Sequence, residues 1–192
     1  MEHFIESFCK KYNTTEKDCR KLIDIMDVVN YKKGDFLVRE GEINNSYYII
    51  KEGIWRGYII RDGEELSVWF ATTGETVFSS WGYMANCPSP IFIEAMTDST
   101  LFCISKQRMD EFLNSSVECA NMGRRLVEQD FLAVEEKIAV SGSIFQAKER
   151  YLDLLRRDPH LLQHVPLKHI ASYLYITPQS LSRIRAELAR EK

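Results

Sequence analysis

The chain has 192 residues, 45% of them hydrophobic and 28% charged, with a net charge of −3. That composition suits one large or two small globular domains. No apolar run approaches the ~20 residues of a membrane-spanning helix, and Met1 to Lys10 carries two acids and no apolar core segment, so neither a bilayer span nor a signal peptide is expected and the expected location is the cytoplasm.

Charge is unevenly spread. Residues 144 to 192 hold nine Lys/Arg against five Asp/Glu, a net of +4, which leaves −7 for residues 1 to 143. A polyanion is attracted to the C-terminal part and repelled by the rest. The five cysteines, at 9, 19, 87, 103 and 119, stand alone. An odd number without C-x-x-C pairing argues against a disulfide framework, a zinc ribbon or the usual iron–sulfur runs.

Residues 1 to 26 read as two packing helices. Phe4, Ile5 and Phe8 mark one apolar face, and Thr15 caps a second segment through Leu22, Ile23 and Met26. From Asp27 to about Ser105 the texture changes to short β-branched and aromatic runs between glycines. The runs are Phe36–Arg39, Tyr47–Lys51, Ile54–Ile60, Leu66–Ala71, Ile91–Met96 and Leu101–Ile104. Strands with turn signals every ~8–12 residues predict a sandwich or barrel. Asp62-Gly63 predicts a type I′ hairpin, which needs positive φ. Leu66, Val68 and Phe70 are expected on one face of their strand, with Ser67, Trp69 and Ala71 on the other.

After a short helix at Lys106–Leu113 comes a long one, from Val117 to about Val140. Val117, Ala120, Arg124, Val127, Phe131, Val134 and Ile138 follow a 3-4 spacing, a heptad seam with one polar break at Arg124. The seam either packs on the chain's own barrel or pairs with a second copy. A helix of ~36 Å favours a parallel dimer. Ser141-Gly142-Ser143 is a joint, and Lys148 to Arg157 is a helix that Asp158-Pro159 ends.

Pro166 to Lys192 contains two short amphipathic helices with a tight turn between them. The first buries Leu167, Ile170, Ala171 and Leu174, and the second Leu181, Ile184 and Leu188. Thr177-Pro178 opens the second as N-cap and first helical residue. Its opposite face carries Gln179, Ser182, Arg183, Ala186 and Arg190. Glutamine and arginine pair bidentately with base edges, so this reads as a helix-turn-helix with its recognition helix second. The bland reading is an αα-hairpin with a solvated basic face.

Catalytic chemistry finds little support. None of the four histidines, His3, His160, His164 and His169, lies in the strand region, which argues against a metal-dependent barrel enzyme. Ser79-Ser80 and Ser89 lack a nucleophile elbow, and no phosphate-binding glycine loop is present. The expectation is a protein that is not an enzyme.

The order of barrel, long helix, hinge and helix-turn-helix resembles the Crp-Fnr superfamily of bacterial transcription regulators. The residues that carry the resemblance are Gly34 to Glu42, Tyr47 to Gly53, Gly74-Glu75, Gly123 to Leu126, Ala147 to Tyr151 and Ile176 to Ile184. It implies an α+β chain. Residues 1–116 would form a cyclic-nucleotide-binding-like domain, a jelly-roll-like double-stranded β-helix or β-roll at about 27–105. Residues 117–143 would be the dimerisation helix and hinge, and residues 144–192 an all-α DNA-binding domain lacking a full wing.

The resemblance also implies roles. Gln179, Ser180 and Arg183 match base-reading positions, with Arg183 on guanine. Ser182 shares their face, while Lys168, Thr177 and Arg190 would meet phosphate. Double-stranded DNA, a second copy of the chain and RNA polymerase are the implied partners. Where members that bind cyclic nucleotide carry Gly-Glu and Arg-Ser, this chain has Phe78-Ser79 and Ser89-Pro90. A buried phosphate would lack its charge-assisted partner, which argues against cyclic AMP or GMP. Phe78, Ser79, Ser80, Ser89 and Arg124 are the candidate pocket for an unidentified small-molecule effector, with no certain cofactor.

Two further departures stand out. Tyr175 occupies the turn position where glycine is common, and Pro178 a position where many members carry arginine. The competing reading is a ligand-sensing roll that acts through protein partners with a vestigial DNA-binding domain.

Overall fold

The computed structural model describes residues 1–141 and 146–190, with the side chains of His3 and residues 136–141 outside the description. Two N-terminal helices, α1 (Glu2–Tyr12) and α2 (Glu16–Asp24), lead into eight strands. These are β1 (Asp27–Tyr31), β2 (Phe36–Val38), β3 (Ser46–Glu52), β4 (Ile54–Arg61), β5 (Glu64–Thr72), β6 (Thr76–Val77), β7 (Phe92–Ala95) and β8 (Ser99–Ser105), with α3 (Ser80–Ala85) between β6 and β7. Six helices are described after them: α4 (Lys106–Leu113), α5 (Val117–Ser141), α6 (Ala147–Arg157), α7 (Leu161–His164), α8 (Leu167–Tyr173) and α9 (Pro178–Arg190).

The strands form two antiparallel sheets of four, ordered β1-β8-β3-β6 and β2-β7-β4-β5. This is the expected α+β fold with a β-roll. Three apolar cores follow from the period-2 alternation of side chains. Between the sheets lie Tyr48, Ile50 and Leu101 from the first sheet and Val38, Trp55 and Ile93 from the second. On the outside of the first sheet, Tyr47, Ile49, Phe102 and Ile104 meet Phe4, Phe8, Leu22, Met109, Met122 and Leu126 of the helices. On the outside of the second sheet, Ile54 and Phe70 share a core with Tyr151, Leu154, Ile170, Leu181 and Ile184 of the C-terminal helices.

Local chemistry sets the corners. Thr15 caps α2 by accepting the Asp18 N–H. Asp62 and Gly63 both have positive φ, 54° and 80°, as the type I′ hairpin between β4 and β5 requires. Gly123 lets α4 lie close on α5, because a Cβ there would sit 2.7 Å from the Leu113 side chain.

The expected alternation along β5 is corrected. Register shifts at Gly57/Tyr58, where Gly57 pairs with Trp69 but Tyr58 pairs with Ser67. Val68 is the extra residue of a β-bulge and is exposed. The faces therefore exchange. Ser67 and Phe70 both look outward to the C-terminal helices, whereas Trp69 and Ala71 line the inter-sheet core.

Candidate nucleic-acid interface

The α8–α9 unit is built from its own capping chemistry. The C-terminus of α8 closes on Tyr175, whose φ of 55° is left-handed. The Tyr175 N–H donates to the Ser172 carbonyl and the Ile176 N–H to the Ala171 carbonyl, which is a complete Schellman closure. Thr177 then starts α9, its hydroxyl accepting the Ser180 N–H at 3.1 Å. Arg150 of α6 donates through Nε to the Leu174 carbonyl, tying the third helix to the turn. A capping box between Gln146 and Glu149 starts that helix.

Leu181 and Ile184 are buried and Leu188 half-buried, so the inward stripe of α9 stands where the spacing predicts. The opposite face is open: Gln179, Ser182, Arg183 and Arg190 are exposed, as are Lys168 at the start of α8 and Thr177. Ser180 is half-buried, and its hydroxyl receives a hydrogen bond from Thr177. Arg185, which the sequence reading passed over, is also exposed on the flank of α9.

The long helix has two different faces. Cys119, Met122 and Leu126 are buried against the roll and its helices. The heptad seam points away: Val117 is 73% exposed, Val127 55%, Phe131 61% and Val134 51%, with Ala120 and Arg124 exposed between them. The described seam residues therefore do not pack into the chain's own barrel. The side chain of Ile138 lies outside the described residues.

The five candidate pocket residues are spread over different tasks. The Phe78 ring packs on Tyr47 and Tyr83, with centroids 4.7 and 5.5 Å away, on the helix-covered side of the first sheet. Ser79 Oγ accepts the Gly82 N–H as the cap of α3, and Ser80 is exposed. Ser89 Oγ donates to the Ile91 carbonyl at 2.8 Å. Arg124 pairs with Glu128 on the open side of α5. Between the sheets Val38, Ile50, Ile93 and Leu101 pack with Tyr48 and Trp55, and Tyr31 stands edge-on to Trp55 at 5.1 Å.

Sequence reasoning missed the cluster that joins the C-terminal helices to the roll. Arg56 of β4 is fully buried. Its guanidinium donates to Glu65 at 2.7 Å and to Ser67 Oγ at 3.0 Å, and stands 3.6 Å from Glu94. Its Nη1 is 3.3 Å from His169 Nε2 on α8. Beside it, the Ser67 N–H donates to Ser172 Oγ at 2.8 Å, and the same hydroxyl donates to the Glu65 carbonyl at 3.0 Å. Since β5 is an edge strand, Ser172 occupies backbone groups that an edge leaves unpaired. Burial, and then the adjacent Arg56 charge, push His169 down to about 4. Glu65 feels an upward push from partial burial, but the Arg56 hydrogen bond and charge outweigh it and leave the carboxyl lowered. Each residue of this cluster is a common surface type, so nothing local marked it.

The cyclic nucleotide-binding domain family matches residues 28–116 of this chain. The nitrogen fixation regulation protein FixK of Rhizobium meliloti is 27% identical over 165 residues, 84% of this chain and 74% of that protein. Among solved structures, FixK2 from Bradyrhizobium japonicum superposes with a TM-score of 0.72 at 18% identity, over 87% of this chain and 86% of that one. A transcriptional regulator of the crp/fnr family from Eubacterium rectale gives 0.66 at 19% identity, over 93% and 85%. These structures share the fold. A Drosophila melanogaster cGMP-dependent protein kinase is 27% identical over 100 residues, but those are 8% of the kinase. No helix among the described residues is long and apolar enough to cross a membrane.

Proposed function

We propose that the chain is a transcription regulator of the Crp-Fnr type, working as a homodimer that reads an inverted repeat in double-stranded DNA. The match to the cyclic nucleotide-binding domain family, the likeness to FixK over 84% of the chain and the shared fold support this reading. The observation that carries the reading is the outer face of α9. Gln179, Ser182, Arg183 and Arg190 stand open to solvent on a helix whose other face is locked into the C-terminal core. Gln179 and Arg183 are the base-edge readers, Arg183 on guanine. Lys168, Thr177, Arg185 and Arg190 meet phosphate, and the Ser180 hydroxyl orients the first turn with Thr177.

The open apolar seam of α5 supports the dimer. Val117, Val127, Phe131 and Val134 are large side chains at heptad spacing that their own chain leaves more than half exposed, and a second copy buries them symmetrically. Pairing there sets two α9 helices to reach successive turns of a duplex.

Selection of bound sequences from random duplex DNA tests the reading. A palindrome with half-sites about one helical turn apart is the expected result. Arg183→Ala then weakens the selected site by about 1–3 kcal/mol and relaxes one base position in each half-site. Unselective, salt-sensitive binding by the native chain overturns it. Phe131→Glu is expected to turn the dimer into monomers in sedimentation.

A further inference from the structure

We propose that α8 and the edge of β5 form an autoinhibitory latch, which holds the helix-turn-helix against its own roll in an orientation that opposes DNA and must open for tight binding. The inference rests on the DNA-binding reading and adds a regulatory contact to it.

Three features argue for a latch rather than permanent packing. The contact is carried by a few polar bonds around a modest apolar patch. One hydroxyl, Ser172, makes two of the bonds, one to the Ser67 N–H and one to the Glu65 carbonyl. Both partners are edge-strand backbone groups that water satisfies equally well once α8 leaves. On the roll's side the apolar part is three residues, Ile54, Phe70 and Met96, with Phe70 edge-on to Tyr173 at 5.3 Å. Net hydrogen-bond contributions of this kind are small enough for a ligand or partner to overcome.

The second feature is His169. Its Nε2 accepts from Arg56, and its Nδ1 stands 3.7 Å from the Glu65 carboxylate. The ring must be neutral to accept that bond, so the docked state selects one protonation form. Arg56 is satisfied within the roll by Glu65, Ser67 and Glu94, so it keeps good partners when α8 lifts away.

The third feature is charge. In a helix-turn-helix the first helix crosses the DNA backbone. Here Lys168, its exposed lysine, acts electrostatically on both Glu65 and Glu94. A phosphate approaching Lys168 in the docked state meets those carboxylates and a roll-and-helix segment of net −7. Undocking moves the basic domain out of that field.

The test compares the native chain with Ser172→Ala and with a Ser67→Cys/Ser172→Cys pair, oxidised and reduced. Hydrogen exchange at the Ser67 amide reads the latch without DNA, and anisotropy of a labelled random-sequence duplex at low salt reads binding. Ser172→Ala is expected to speed exchange at Ser67 about tenfold and tighten duplex binding by a similar factor. The oxidised pair is expected to bind at least about tenfold more weakly than its reduced form. Unchanged exchange in Ser172→Ala shows that the docking is absent and overturns the proposal. Equal duplex affinity of oxidised and reduced forms overturns the inhibitory role. If no form binds any duplex, the DNA-binding reading fails and takes the inhibitory role with it, while the exchange data still decide whether α8 docks.

Discussion

The two sheets of the roll are covered on their outer faces by different means. Over the first sheet, α1, α2, α4 and α5 bury an almost wholly apolar layer in which Phe8, Leu22, Ile49 and Ile104 are fully inaccessible. Over the second, the C-terminal helices bury Ile54 and Phe70 but rely on Arg56, Glu65, His169 and Ser172 at the edge. Burial of apolar area is non-directional and is lost only by unfolding or large separation. A hydrogen-bonded edge can exchange its partners for water at little net cost. One cover is therefore part of the fold, and the other is an attachment.

The largest effect that separates them is a pair of truncations. Phe8→Ala is expected to cost about 3–5 kcal/mol and to lower the melting temperature of the roll, because the cavity lies in a closed layer against Phe4 and Tyr12. Phe70→Ala removes a ring of the same size from the other cover. Its cost is limited to the free energy of docking, since the domain can leave. It is expected to speed Ser67 amide exchange and to shift the roll's melting by less than half as much. Equal losses of melting temperature would make the two covers equally permanent.

How much of this was readable in the sequence divides along the same line. The first cover and the sheets were legible because their signals are local: the Phe4, Ile5, Phe8 face, the Thr15 cap, the Tyr47 to Ile50 run and the Asp62-Gly63 turn all act over a few residues. The seam was legible as a 3-4 spacing, and exposure settled which way it points. What escaped was short or distant. β6 has two residues and α7 four, too few for any periodicity. β1 mixes Asp27 and Asn30 into its run. The bulge at Val68 left no compositional trace, yet it turns Ser67 outward toward α8. The latch residues His169 and Ser172 lie 113 and 105 positions from the groups they meet, a separation at which single-sequence patterns carry no information.

The next effect is a pH response of opposite sign on the two sides. Asp130 of α5 accepts from Thr76 Oγ1 at 2.9 Å and from Tyr12 Oη at 3.4 Å, tying the long helix to β6 and α1. Burial raises its carboxyl from 3.8 to about 6, against the downward pull of the Thr76 and Tyr12 hydroxyls and Lys11, with Glu75 adding to the rise. A carboxyl raised in the folded state gives stability that is present below its ordinary value and lost as pH climbs through about 6. Over that shift the change amounts to up to about 3 kcal/mol. His169 is lowered in the docked state from 6.5 to about 4, with Arg56, Lys168 and Glu65 facing it. Its contribution to docking is present above 6.5 and is lost as pH falls toward 4. Between pH 6.5 and 4 the first cover is expected to tighten while the second loosens. Melting curves of Asp130→Asn against the native chain isolate the first limb, and Ser67 exchange in His169→Gln isolates the second. Limbs of the same sign would break the contrast.

The smallest effect sits inside the attached unit itself. Tyr175 holds a left-handed φ of 55° at the turn before α9, where an L side chain costs about 1–2 kcal/mol relative to glycine. Glycine loses about 0.5–1 kcal/mol more conformational entropy on folding, so Tyr175→Gly is expected to stabilise the helix-turn-helix by about 0.5–1 kcal/mol net. The ring is 61% exposed, so little packing is lost. The gain is expected in the melting of the C-terminal helices and not in Ser67 exchange, because the closure bonds of Tyr175 and Ile176 run back into α8 and not to β5. A parallel slowing of Ser67 exchange would mean that the rigidity of the turn sets how firmly α8 grips the roll, and the attachment would then be tuned from within the DNA-reading unit.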